Sequence, residues 1–146
     1  MSREHTIGRL FITAGDAIFT VASPDRHFTY RVTKREPDPN SRYTTPAYFV
    51  SLLTGSDNEN DYTYMGMLEA SSGRVYLTKA SKYNAQSTPF KVVNWGLGLV
   101  WRGRPAPDGY SIHHEGRCGR CGRTLTHPES IVTGFGPDCI GMVGEQ

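Results

Sequence analysis

Three cysteines near the end of the chain constrain its fold more than any other feature of the sequence. Two residues separate Cys118 from Cys121, and 17 residues separate Cys121 from Cys139. A Cys-x-x-Cys pair on a tight turn can direct both thiolates at one metal ion, and the glycines beside this pair let backbone amides approach the sulfur atoms. Because an odd number of cysteines suits a disulfide framework badly, we expect a Zn²⁺ site with one ligand that is not cysteine.

A histidine is the natural fourth ligand. Three residues separate His114 from Cys118, so His114 can fold back onto the cysteine turn, and we predict it as the ligand. His113 would point to the opposite face of an extended segment, and His127 follows the turn, so both stay alternatives, as does water or another group. A closed site with three thiolates and one imidazole leaves no position to activate water, which predicts a structural ion.

Two other interpretations of the cysteines compete with the metal site. The first is a set of free, buried cysteines, but Cys-x-x-Cys beside glycines and arginines is a poor core sequence. The second is a thioredoxin-like redox pair, which is expected after a strand in an alternating β-α pattern. That pattern is missing from the sequence, and metal binding is therefore favoured.

The first eighty residues show the patterning of β-strands. Alternation is clearest at residues 27–33, where Phe28, Tyr30 and Val32 would share one face. Similar segments bounded by turn-forming residues predict about five strands, at residues 17–22, 27–33, 48–53, 62–68 and 74–78. Short connections between them favour an antiparallel sheet. Residues 1–14 are interpreted as a weakly patterned lead-in.

One helix is predicted after the strands. Ser87 or Thr88 can cap it, Pro89 fits its first turn, and apolar residues recur at helical spacing up to Trp101. We expect this helix to cover one face of the sheet. The sequence thus predicts an α+β fold, with a β-rich domain at residues 1–104 and a small treble-clef-like zinc finger at residues 105–146. So small a finger would depend on its metal for stability.

Charge and hydropathy bear on which partners and which cellular compartment to expect. The formal net charge is only +2, which is too small to indicate nucleic-acid binding by itself. No apolar run is long enough to span a bilayer, and the N-terminus has no signal-peptide core. We therefore expect a cytoplasmic protein with no membrane partner.

Basic side chains cluster around the cysteines. These candidates for contacts with DNA or RNA phosphates are Arg102, Arg104, Arg117, Arg120 and Arg123. The alternative is that the arginines offset the negative charge of the thiolates. Three tyrosines in predicted strands, Tyr62, Tyr64 and Tyr76, could stack on unpaired bases if they line one sheet face, although such residues more often belong to the core.

The cysteine segment resembles a known domain type. Its pattern, His114-x3-Cys118-Gly-Arg-Cys121-Gly-Arg-x-Leu-Thr-x-Pro-Glu-Ser-Ile-x2-Gly-x-Gly-Pro-x-Cys139, resembles an uncharacterised zinc-finger-like domain common in bacteriophage and mobile-element proteins. More weakly, residues 27–31 and 49–58 resemble the β-rich partner that often precedes this finger. The resemblance implies the zinc ligands, a phage origin and the host cytoplasm, but no activity.

The sequence favours binding over catalysis. It contains no phosphate-binding loop and no convincing Ser-His-Asp order, and a nuclease built on His113-His114 would need a second metal-binding histidine on a downstream helix. We therefore expect a non-enzymatic accessory protein that binds a host protein, for example a CRISPR or restriction component. The alternative is a nucleic-acid-binding accessory protein that uses the arginine-rich finger. Oligomeric state has no signature in the sequence.

Overall fold

The computed structural model describes residues 7–40, 42, 45–57, 59–126 and 128–143. In these ranges the chain forms an antiparallel sheet and four helices. In chain order the elements are α1 (Arg9–Ile12), β1 (Asp16–Ala22), β2 (His27–Arg35), β3 (Ala47–Leu53), β4 (Tyr62–Glu69), β5 (Arg74–Tyr76), α2 (Thr88–Trp101), β6 (Ser111–His114), α3 (Pro128–Thr133) and α4 (Pro137–Val143). No helix within the described ranges is long and apolar enough to cross a membrane.

The sheet is a meander with one late addition. Its strand order is β5-β4-β3-β2-β1-β6. The last strand, β6, follows α2 in the sequence and pairs with the edge of β1 that β2 leaves open. The five predicted strands and the covering helix are confirmed. The prediction of about five strands is one short, because β6 has only four residues and shows no alternation of its own. The lead-in also contains a short helix, α1.

β1 occupies the best-covered position in the sheet. Its five central residues, Ala17 to Val21, are all buried. Phe19 stacks on Tyr30 of β2, with ring centroids 5.5 Å apart, and the hydroxyl of Tyr30 donates to the carbonyl of Pro89 at the start of α2 at 2.7 Å. The helix therefore covers the face that carries Phe19 and Tyr30.

α2 approaches the sheet closely because it contains glycine. A Cβ on Gly96 would lie 3.1 Å from a methyl carbon of Val21, so the glycine that weakens the helix in isolation allows close contact with β1. At the other edge of the sheet, the side chain of Asn94 accepts from the N–H of Val75 at 2.8 Å and donates to its carbonyl at 3.1 Å. These bonds satisfy the backbone groups of Val75 in the edge strand β5.

The C-terminal region packs on the rest of the chain. Residues 111–114, which the sequence assigns to the finger, form a strand of the sheet. Cys118, Leu125, Phe135 and Cys139 belong to the same buried cluster as the sheet core. The division at residues 104 and 105 stays a prediction, but the two regions share buried surface.

Candidate metal centre

Three cysteines converge on one point of the structure. The sulfur atoms of Cys118, Cys121 and Cys139 all lie within 4.8 Å of one another. All three are free thiols, with Cys118 and Cys139 buried and Cys121 exposed. The first two lie on the turn after β6, and the third lies on α4. The sequence prediction that these residues share a site is therefore consistent with the structure.

The cysteine turn is a small hairpin held by backbone hydrogen bonds. The N–H of Cys118 donates to the carbonyl of Arg123 at 2.8 Å, and the N–H of Gly122 donates to the carbonyl of Cys118 at 2.9 Å. Gly122 has φ +78°, a left-handed conformation that favours glycine. The N–H of Arg120 points at the sulfur of Cys118, at 3.4 Å. This is the amide-to-sulfur contact that the glycine-rich sequence predicted.

The surroundings of the sulfur atoms shift the thiol pKa values of Cys118 and Cys139 in opposite directions. Burial raises the pKa of the Cys118 thiol, but hydrogen bonds from three backbone amides and from the side chain of Cys121 together outweigh this effect, and the net pKa is lowered. Burial also raises the pKa of Cys139, and the neighbouring sulfur atoms raise it further, although Arg120 partly offsets this. A bound cation would favour the thiolate form of all three residues.

Phe11 of α1 attaches the cysteine turn to the sheet. Its ring is 5.9 Å from the ring of Phe135 and 5.8 Å from that of His114, measured between centroids. Two backbone hydrogen bonds, each 2.9 Å long, extend the attachment: Gly119 donates to Gly134, and Asp16 of β1 donates to Gly119. The position of the turn is thus fixed by residues from both ends of the chain.

His114 is placed outside the group formed by the three sulfur atoms. It is buried, its Nε2 donates to the carbonyl of Ile131, and its Nδ1 accepts from the N–H of Gly116 at 2.9 Å. Both ring nitrogens therefore have protein partners, and the bond to Gly116 assigns the ring proton to Nε2. His114 as the fourth zinc ligand stays a prediction.

Of the other two candidate histidines, the structure describes only His113. His113 lies on the opposite face of β6, as its position predicts, with Nδ1 3.1 Å from the hydroxyl of Ser111 and Nε2 3.3 Å from a carboxylate oxygen of Glu115. The Glu115 carboxylate also accepts from the hydroxyl of Thr20. The hydrogen bond from His113 contributes most to lowering the pKa of Glu115. His127 lies outside the described residues.

Three of the five candidate arginines lie on the cysteine turn. Arg117 donates to the carboxylate of Glu59 at 3.1 Å, and Arg120 donates to the sulfur of Cys139 at 3.7 Å. Arg123 is exposed beside the cysteines. Arg102 and Arg104 instead follow the end of α2, where Arg104 lines a separate cavity. Two of the three arginines on the turn are therefore already engaged with groups of the protein itself.

Aromatic residues share the sheet face opposite α2, here called the open face. The register pairs Leu53 with Tyr62, Ser51 with Tyr64 and Met67 with Tyr76. This places all three tyrosines on the open face, together with Phe49, whose ring lies 6.3 Å from that of Tyr64. The guanidinium of Arg31 lies 5.6 Å from the ring centroid of Tyr62 and forms a salt bridge with Asp16 at 2.7 Å.

Two contributors to the site carried no local signal in the sequence. Phe11 is more than a hundred residues from the cysteine turn that it supports, and Glu59 is separated from Arg117 by 58 positions. Residues 10–12 form an apolar cluster in the sequence, but nothing in this cluster specifies a contact with the turn.

Comparison with known proteins supports an uncharacterised family for this region. Residues 112–144 match a family of unknown function, DUF6011. The match begins within β6, includes the cysteine turn and Cys139, and carries no activity. No curated protein and no solved structure matches the chain.

Proposed function

We propose that Cys118, Cys121 and Cys139 hold one Zn²⁺ in a structural site, and that the protein works by binding a partner. The convergence of the three sulfur atoms carries this proposal. Zinc–sulfur bonds of about 2.3 Å in a tetrahedron place sulfur atoms about 3.8 Å apart, and the observed limit of 4.8 Å requires only a small contraction. Three thiolates also favour zinc over the harder cations Mg²⁺ and Ca²⁺.

The layout of the ligands is compatible with a treble-clef-like finger. Two cysteines lie on a tight turn, and the third lies in the first turn of a helix, α4. The fourth ligand is less constrained. His114 would have to exchange its bonds with Ile131 and Gly116 for the metal, whereas water would complete the tetrahedron without that cost. His127 lies outside the described residues and stays an alternative.

A protein is the partner that we prefer. Arg117 and Arg120 are already engaged with Glu59 and Cys139, which leaves fewer cations on the turn for phosphates. This favours the interpretation that the arginines compensate charge, and with it the host-protein hypothesis. The phage origin and the choice of a host defence component, such as a CRISPR or restriction protein, rest on the sequence resemblance alone.

Single-stranded nucleic acid is the second candidate partner. The observation in its favour is the open face, where Phe49, Tyr62, Tyr64 and Tyr76 lie on neighbouring strands. Aromatic side chains on such a face can stack on bases, each contributing about 1–3 kcal/mol. Against it, Arg31 on the same face is paired with Asp16, which reduces the attraction for phosphate.

A zinc assay combined with a DNA-binding assay distinguishes the protein partner from the nucleic-acid partner. Purified, reduced protein is assayed for zinc and titrated into labelled single- and double-stranded DNA at two salt concentrations. One zinc per chain without DNA binding supports a protein partner, which is then sought among host proteins. Salt-sensitive binding of single-stranded DNA that Tyr62→Ala weakens would establish the alternative.

A further inference from the structure

An apolar groove opens between α2 and the turn that joins β1 to β2. Its volume is ≈ 500 Å³, and its floor includes Phe28 and Val92. Trp95 from α2 and Tyr110 from the segment before β6 form one wall. Their rings meet edge to face with centroids 5.4 Å apart, yet they remain 38% and 46% exposed.

This exposure is notable because the chain has only two tryptophans. Trp101, six residues further along α2, is buried and donates its indole N–H to the carbonyl of Ala70 at 2.7 Å. Trp95 has no comparable enclosure. Exposed tryptophan and tyrosine beside an apolar cavity are typical of the residues that contribute most to protein interfaces.

The charged residues that line the groove are both basic. They are Arg26 and Lys91, both exposed, and neither forms a salt bridge within the described part of the chain. Asp25 and Asp108 lie in the flanking turns but do not line the groove. An occupant with carboxylates at its ends would therefore complement the groove electrostatically.

The shape of the groove favours a peptide over a nucleotide. Because the rings of Trp95 and Tyr110 meet edge to face, they do not offer the parallel faces on which consecutive bases stack. The remaining lining is largely aliphatic, with Val21, Val92 and Pro107, and suits a leucine or phenylalanine side chain.

We infer that this groove binds a short acidic segment of a partner protein, with an apolar side chain against Trp95 and carboxylates on Arg26 and Lys91. The inference rests on the proposed binding function and assigns it a surface and a ligand chemistry. The zinc site lies outside the groove lining, so the two can be tested separately.

The test uses an array of eight-residue synthetic peptides that combine acidic or basic flanks with apolar or polar centres. The zinc-loaded protein should select acidic flanks with apolar centres and bind the best of them at least about tenfold more tightly than the basic or polar counterparts. Trp95→Ala should weaken that binding at least about tenfold, and Lys91→Glu should weaken it markedly. Lys79→Glu, the same charge change at an exposed lysine outside the groove, should leave it unchanged.

Four outcomes would overturn the inference. If the protein binds acidic peptides with polar centres as tightly as those with apolar centres, charge attraction alone explains the binding. If Trp95→Ala binds the best peptide as tightly as the wild-type protein does, the peptide lies outside the groove. If the protein contains one zinc and binds no DNA, yet prefers none of the peptides in the array, the groove is not a docking site but the proposed function stands. Displacement of the peptide by single-stranded DNA would overturn the inference and the proposed protein partner together.

Discussion

A Cβ atom on Gly119 would lie 2.6 Å from Cδ1 of Phe11, closer than side-chain carbons approach in folded proteins. Gly119 belongs to the cysteine turn, and Phe11 is a core residue of α1 that is only 2% exposed. The glycine is thus required for packing and not for an unusual φ. This contact joins the cysteine turn to the sheet, and it makes the two regions depend on each other.

Replacing Gly119 by alanine should destabilise the protein. Because the Phe11 ring is enclosed, we expect a loss of about 1–3 kcal/mol in the free energy of unfolding, the usual cost of overpacking a core. Urea denaturation measures it. Gly136→Ala is the matched control, since a Cβ there meets nothing within 4 Å. In a Phe11→Ala background, Gly119→Ala should cost far less, and equal costs in both backgrounds would refute the contact.

Cys121→Ser should release the metal and unfold the C-terminal region. Cys121 is exposed, so the substitution removes a ligand with little change in packing. Hydrogen exchange should show lost protection at residues 115–143 and in α1, whereas β2–β4 and α2 stay protected. Arg123→Gln, an exposed neighbour, serves as the control. A variant with full zinc and an unchanged melting curve would exclude Cys121 as a ligand.

His114→Ala decides between two roles for this histidine. The structure places both ring nitrogens in protein hydrogen bonds, so we expect lower stability, since the bond to Ile131 and the packing on Phe11 are lost, but one zinc per chain. Zinc content is measured after dialysis against a weak chelator. If zinc is lost from protein that remains folded, His114 is the ligand that the spacing predicts. His113→Ala and His127→Ala test the other two candidates in the same way.

Alkaline pH should destabilise the protein partly through Tyr30. Burial raises the pKa of this phenol above its ordinary value of 10.0. Folding therefore favours the protonated form, and the associated stability is complete below pH 10 and lost as the pH rises further. Tyr30→Phe should cost about 1 kcal/mol at neutral pH, through the lost bond to Pro89, and should flatten the decline between pH 9 and 11. Urea titrations at several pH values measure both effects.

The control for this experiment is Tyr76→Phe, which also removes one phenol but at an exposed position on β5. It should follow the pH dependence of the wild-type protein. A Tyr30→Phe variant that declines as steeply as wild type would show that Tyr30 does not contribute to alkaline unfolding.

Elements with their own local pattern could be predicted from the sequence. β2 alternates cleanly, turn-forming residues separate the strands, and α2 begins with Ser87 and Pro89. β6 and α1 have only four residues each, and both are stabilised by partners far away in the sequence. β6 pairs with β1, and α1 packs on the cysteine turn. No local pattern encodes such pairing.

The same distinction applies to the site. Cysteine spacing is a local property, and it predicted which sulfur atoms converge. The surroundings of a side chain are not local, so spacing alone could not place His114 against the carbonyl of Ile131, or pair Arg117 with Glu59. The position of Trp95 at a groove likewise depends on Tyr110, which reaches it from another segment.

X-ray absorption at the zinc edge of purified, reduced protein tests the central claim most directly. The account predicts one zinc per chain with three sulfur atoms at about 2.3 Å and one nitrogen or oxygen at about 2.0–2.1 Å. A folded, fully reduced protein that contains no zinc, or whose zinc has fewer than three sulfur ligands, would contradict it.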